Sequence, residues 1–173
     1  MSDKEILEYS QKTKAEAISI LAQTNLINIL KEFGEVKIYG SFKYDLMWGP
    51  DIDIMVICTD STRETSLKAL NRLIKEKISQ KYDYGDFVTF KTEGRPESYI
   101  LTLKLPYNDR KWEIEIWFFD NIPATQEDID KLISSKLNEE NRLEILRIKE
   151  DREINGLTKH SLNSFDIYKR VLV

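Results

Sequence analysis

The run Ile54-Met55-Val56-Ile57-Cys58 constrains the fold of this 173-residue chain more than any other stretch. Five consecutive apolar residues are far too few to span a bilayer, and a strand of that composition belongs in the middle of a sheet. The residues just before it follow a different rule. In Asp51-Ile52-Asp53 the apolar residue alternates with acids. On a strand, both carboxylates therefore share one side while Ile52 enters the core. Two like charges held side by side raise one another's pKa and destabilise the chain unless a cation compensates them.

The segments around this strand supply the rest of a domain. Residues 3–32 repeat apolar side chains at a helical period, and Gly34 is positioned to end that helix. Val36–Tyr39 reads as a short strand ending at Gly40, and 41–47 as a short helix closed by Gly49-Pro50. Ser61 or Thr62 is expected to cap a helix reaching about Ser79. Three strand-like runs follow at Phe87–Lys91, Ser98–Leu105 and Trp112–Phe119, separated by turn compositions. Thr125 is expected to cap the next helix, and the remainder is charged helix broken near Asn155-Gly156 and Asn163. The pattern predicts one α/β (α+β) domain over 1–173. Its mixed β-sheet core spans about 30–120, with helices flanking it at the N-terminus and over about 124–173.

Composition narrows the function classes. With 41% apolar and 32% charged residues the chain reads as a globular protein, and its net charge of −4 gives no general attraction to nucleic acid. No segment is apolar enough for a membrane span, and MSDKEILEYSQK lacks a secretory hydrophobic core. A cytoplasmic location is expected, with Cys58 a buried reduced thiol. The basic residues Arg142, Arg147, Lys149, Arg152, Lys169 and Arg170 lie among many acids and read as a solvated helical surface. The single histidine, His160, reads as a surface residue. Trp48 is set apart from the other tryptophans because it lies in the turn beside Asp51.

The chemistry concentrates between residues 39 and 57 and in one later strand. A strand that ends in Gly40-Ser41 and turns into a helix lets a phosphate approach the backbone, and the serine hydroxyl can donate to it. Lys43 follows closely enough to reach the same phosphate, the other reading being a solvated lysine. Asp51 and Asp53 present hard oxygen ligands suited to Mg²⁺ or Mn²⁺. A third acid should come from another strand, and Trp112-Glu113-Ile114-Glu115-Ile116 offers two on one face. Glu113 lies nearer the turn, where a cross-strand lysine or arginine would explain it. Glu115 lies deeper, between two isoleucines, where burying a charge is costly without a cation, so Glu115 is favoured.

Tyr39-Gly40-Ser41, nine intervening residues, then Asp51-Ile52-Asp53, resembles the signature of the nucleotidyltransferase superfamily, the DNA polymerase β-like fold. Ile114-Glu115-Ile116-Trp117 resembles the strand carrying that family's third acid. The likeness covers about residues 30–120 and points to small bacterial members of the antibiotic-modifying or minimal type. It implies that Gly40 and Ser41 hold the β- and γ-phosphates of a nucleoside triphosphate. It also implies that Asp51 and Asp53 bind two Mg²⁺ ions and that Glu115 completes the site. The implied reaction transfers a nucleoside monophosphate to a hydroxyl of a small-molecule or protein acceptor and releases pyrophosphate. Glutamate where the family usually has aspartate is a departure, extending the carboxylate by one methylene. The alternative expectation is a non-catalytic nucleotide-binding or protein-interaction module that retains the fold.

Overall fold

The computed structural model describes residues 1–59, 63–157 and 162–173. The expected helix cap at Ser61 or Thr62, and His160, lie outside the described residues. Helix α1 (Asp3–Thr24) opens with a capping box in which Ser2 and Glu5 satisfy each other's backbone N–H. The helix expected over 3–32 breaks at Asn25, whose left-handed backbone (φ 51°) turns the chain into the short α2 (Leu26–Leu30). Asparagine tolerates that conformation better than most residues, which is why the break falls there.

Strand β1 (Glu35–Tyr39) leads into α3 (Gly40–Lys43), then β2 (Asp51–Ile57) and α4 (Arg63–Lys75). The short helix expected over 41–47 ends at Lys43, because Asp45 adopts a left-handed backbone (φ 58°) and 44–50 runs as an irregular segment. Strands β3 (Lys81–Asp86), β4 (Tyr99–Tyr107) and β5 (Arg110–Phe119) follow, then α5 (Ala124–Lys136), α6 (Glu139–Ile154) and α7 (Ser164–Leu172). Residue 125 lies inside α5, whose N-cap is Pro123 without a side-chain hydrogen bond, so the expected Thr125 cap is not formed.

The sheet is mixed, in the order β1-β2-β5-β4-β3, with β2 and β5 parallel and the other pairs antiparallel. The strand expected at Phe87–Lys91 is instead Lys81–Asp86. Two contacts explain the shift. Tyr82 and Tyr84 reach α4, the first donating to the Leu73 carbonyl (3.1 Å) and the second meeting Ser66 Oγ at 3.2 Å. Asp86 Oδ1 accepts the Thr89 N–H at 2.8 Å, so the apolar run after it folds into a turn.

Two hydrophobic clusters hold the molecule. Ile52, Ile54 and Val56 of β2, with Trp112, Ile114, Ile116 and Phe118 of β5, are fully buried against Ala17, Ile20 and Leu21 of α1, α2, and Ala69 and Leu73 of α4. The second cluster gathers Ile6, Tyr44, Leu46 and Trp48 with Ile133 of α5, Ile145 and Leu146 of α6, and Ile167, Tyr168 and Leu172 of α7. Helix α1 spans both, contributing Ile6 to one and its C-terminal half to the other. No helix among the described residues is long and apolar enough to cross a membrane.

Candidate functional site

The side of β2 and β5 that turns away from the first cluster carries the acids. In the sheet register, Tyr39, Asp53, Glu115 and Thr102 stand opposite one another in one row across β1, β2, β5 and β4. Asp51, Glu113 and Lys104 form the next row. The parallel pairing of β2 with β5 therefore sets Asp53 beside Glu115 and Asp51 beside Glu113, all half-buried.

The two glutamates have different surroundings. Glu113 meets Lys104 Nζ across the strands at 3.3 Å. Glu115 Oε2 accepts from the Trp117 indole N–H at 3.3 Å, on the same strand and the same face. Trp117 in turn stacks between Phe87 and Phe119, with ring centroids 6.4 and 6.2 Å away.

Two glycines stand against the aspartates. Gly40 adopts a left-handed backbone (φ 64°), and a methyl group on it would collide with Asp53 Oδ2. A Cβ on Gly49 would lie 2.5 Å from Asp51 Oδ1. The backbone thus passes close to both carboxylates, and at Gly40 a second reason, the positive φ, also favours glycine. Ser41 is buried in the first turn of α3, and its carbonyl accepts the Leu46 N–H at 2.9 Å.

Lys43 points to α5 and donates to Asp130 Oδ2 at 2.7 Å. Burial opposes ionisation of Asp130, but hydrogen bonds from Lys43, Tyr44 and Gln126 outweigh it and hold the carboxyl below its ordinary range. Tyr44, half of that contact, is pushed up by burial and by Asp130.

Two tyrosines report the field of the acids. Burial pushes the Tyr39 phenol well up, and the charges of Asp53 and Glu115 add to it. Burial also raises Tyr168, with further contributions from Asp53 and then Asp51.

The segment joining α3 to β2 is held by cations that the sequence reading assigned to solvent or left unassigned. Arg142 donates to the carbonyls of Tyr44 (2.8 Å) and Asp45 (3.0 Å), Lys149 to that of Leu46 (2.7 Å), and Arg110 to that of Trp48 (3.4 Å). Trp48 is buried, its indole N–H donating to Glu153 Oε2 at 2.5 Å and its ring lying 4.7 Å from that of Tyr9. The solvated surface expected of the C-terminal basic residues is thus overturned for Lys149 and Arg152, which are buried. A signal was present in the sequence. Ile145, Lys149 and Arg152 fall at i, i+4 and i+7, which puts two cations on the apolar stripe of α6.

Among the described residues, no three His, Cys, Asp or Glu side chains converge closely enough to form a ready-made metal cluster. The donor chemistry nevertheless suits a hard divalent cation. It consists of carboxylate oxygens on two neighbouring strands, with glycine backbone against two of them. Set against family models and curated proteins, the chain matches none.

Proposed function

We propose that the acidic face of β2 and β5 is the site of a metal-dependent nucleotidyltransferase. The observation that carries this reading is the juxtaposition of Gly40 with Asp53, and of Asp53 with Glu115 in the parallel register. A backbone without a side chain beside a carboxylate is what a phosphate and its cation need in order to approach together. In this reading Asp51, Asp53 and Glu115 would hold Mg²⁺ or Mn²⁺, which would supply positive charge to the phosphates and to the attacking oxygen. Gly40 and Ser41 face the phosphate tail of a nucleoside triphosphate, and Lys43 reaches it only by releasing Asp130.

The reaction is an in-line displacement. An acceptor hydroxyl oxygen bonds to the α-phosphorus, and the bond from that phosphorus to the bridging oxygen breaks. Pyrophosphate leaves with the electron pair, and Glu115 is the group we assign to take the hydroxyl proton. The acceptor is a small molecule or a protein. Cytoplasmic location belongs to the same reading.

The test is incubation of purified protein with an α-phosphate-labelled nucleoside triphosphate, Mg²⁺ or Mn²⁺, and pools of hydroxyl-bearing acceptors. Transfer of label with release of pyrophosphate is expected, and it should vanish in Asp53→Asn. Nucleotide binding without any transfer would favour a second reading, a non-catalytic nucleotide-binding module. The observation on its side is that the three acids do not converge into a ready-made cluster.

A further inference from the structure

In the sheet order β1-β2-β5-β4-β3, Gly40 follows β1 and lies against Asp53 of β2, while Glu115 stands on β5, the opposite neighbour of β2. An in-line displacement sets the attacking oxygen opposite the leaving one. With the phosphate tail at Gly40-Ser41, the acceptor must approach Glu115 from over β4 and β3. That side holds a cavity of about 370 Å³, whose lining includes Gln80, Lys81, Lys104, Lys111 and Glu113. Lys81 stands opposite Lys104, and Lys104 opposite Glu113. Lys111 is two residues before Glu113 on β5 and so shares its face. The cavity thus continues the row that begins at Asp51.

Three ammonium groups against one carboxylate give this lining a positive surplus, in a chain whose net charge is −4. Lys104 spans Glu113 (3.3 Å) and Asp83 (3.8 Å), and Lys81 meets Asp83 at 3.3 Å, so the surplus persists when Asp83 is counted. These pairs are roughly half exposed, and each ammonium can turn to another acceptor at little cost. Lys111 forms no ion pair among the described residues. We propose that the cavity is an oxyanion subsite, in which Lys81, Lys104 and Lys111 hold the phosphate or carboxylate group of a small hydroxyl-bearing acceptor. Lys104 and Glu115 are diagonal neighbours on adjacent strands, about 7–8 Å apart. The acceptor therefore carries its anion a few bonds from the reacting hydroxyl, the span of a phosphorylated or acidic sugar. Assigning the anion to an acceptor rests on the nucleotidyltransferase reading, and the two arms of the test separate them.

The first arm is binding. Inorganic phosphate and acetate, each without metal or nucleotide, are titrated into the isotope-labelled full chain at constant, low ionic strength and followed by amide NMR. Saturable shifts are expected at Lys81, Lys104 and Lys111. Lys111→Gln should weaken the affinity about threefold, and Lys104→Gln combined with Lys111→Gln about tenfold. Lys111→Arg keeps the charge and should stay within about twofold of the wild type. Lys111→Gln breaks no ion pair and should melt like the wild type, so it decides should the double variant fail to fold. Shifts confined to the Gly40-Ser41 turn, or unchanged affinity in folded Lys111→Gln, overturn the proposal.

The second arm is transfer. The protein, with α-phosphate-labelled nucleoside triphosphate and Mg²⁺, is offered a neutral hexose, the same hexose phosphorylated, its uronic acid and its amino sugar, beside wider acceptor pools. Label should pass to the phosphorylated or the acidic sugar about tenfold faster than to the neutral or amino forms, and the better of the two identifies the anion. That preference should fall about threefold in Lys111→Gln and about tenfold in the double variant. A preference for neutral or amino acceptors, or an anion preference that survives in Lys111→Gln, overturns the proposal. If anions bind at the lysines and no acceptor takes label, the nucleotidyltransferase reading is wrong and the oxyanion subsite stands.

Discussion

The two faces of the β2–β5 pair are built from alternate residues of the same two strands, yet they answer to different physics. On one, Ile52, Ile54, Val56, Ile114, Ile116 and Phe118 are fully buried against helices, and each substitution there should be felt as lost packing. On the other, Asp51, Asp53, Glu113 and Glu115 stand half-buried in facing positions, where charge and hydrogen bonding rather than apolar packing decide what each residue does. A residue's contribution to stability and its contribution to chemistry are thus separated by a single step along the strand. Experiments on the two faces should fall into opposite columns.

The largest effect should come from the acidic face and appear in function alone. Asp53→Asn is expected to abolish label transfer while the protein stays folded, with a denaturation midpoint close to that of the wild type, since the residue lies outside the apolar core. A variant that melts far below the wild type would mean that Asp53 serves the fold. Phe118→Ala, on the other face, should cost about 3–5 kcal/mol in urea unfolding. If the same variant in its folded state also loses Mn²⁺ binding, the separation of faces fails.

The third effect lies at the junction between the faces. Ser41→Ala should weaken triphosphate binding by on the order of 1–3 kcal/mol, as for a hydrogen bond to a charged group, measured with a fluorescent nucleotide. Wild-type affinity would leave Gly40-Ser41 as a turn and no more. A capping substitution tests the helical side. Asn163→Ala, which removes the side chain accepting the Asp166 N–H at 2.9 Å, should cost about 1 kcal/mol.

The smallest effect is a pH dependence at Asp130. Its carboxyl is held below the ordinary range in the folded protein, so the unfolded chain binds the proton more readily. Its stabilisation is therefore fully present above the ordinary aspartate range and is lost as pH falls through the lower, folded value. Asp130→Asn should flatten the acid limb of the stability–pH curve. An unchanged acid limb would show that the Lys43–Asp130 contact is too exposed to matter.

Much of the site could be read because strand geometry is strict. Period-two alternation alone dictates that Asp51 shares a side with Asp53, and Glu113 with Glu115. Turn chemistry was less legible. Phe87–Lys91 has strand-forming residues, but Asp86 captures the Thr89 N–H, and Tyr82 and Tyr84 find anchors on α4. Those anchors lie 9 and 18 residues before their tyrosines and on a different element, so the period of the strand itself does not reveal them.

What the sequence determined by itself was the kind of surface each strand would present: an apolar side that has to be covered, and an acidic side that has to be compensated. It also determined that Gly40 stands where the chain must turn sharply after β1. Only the tertiary structure decided which acids become neighbours, because the parallel register of β2 against β5 depends on packing across intervening segments. That register puts Glu115 beside Asp53 and gives Lys104 to Glu113. The helical period already put Lys149 on the apolar stripe of α6, but only the fold decided what its ammonium would meet there. A lysine's role depends on which groups surround its ammonium, and here those groups come from α7 and from the segment before β2, which only folding brings to α6.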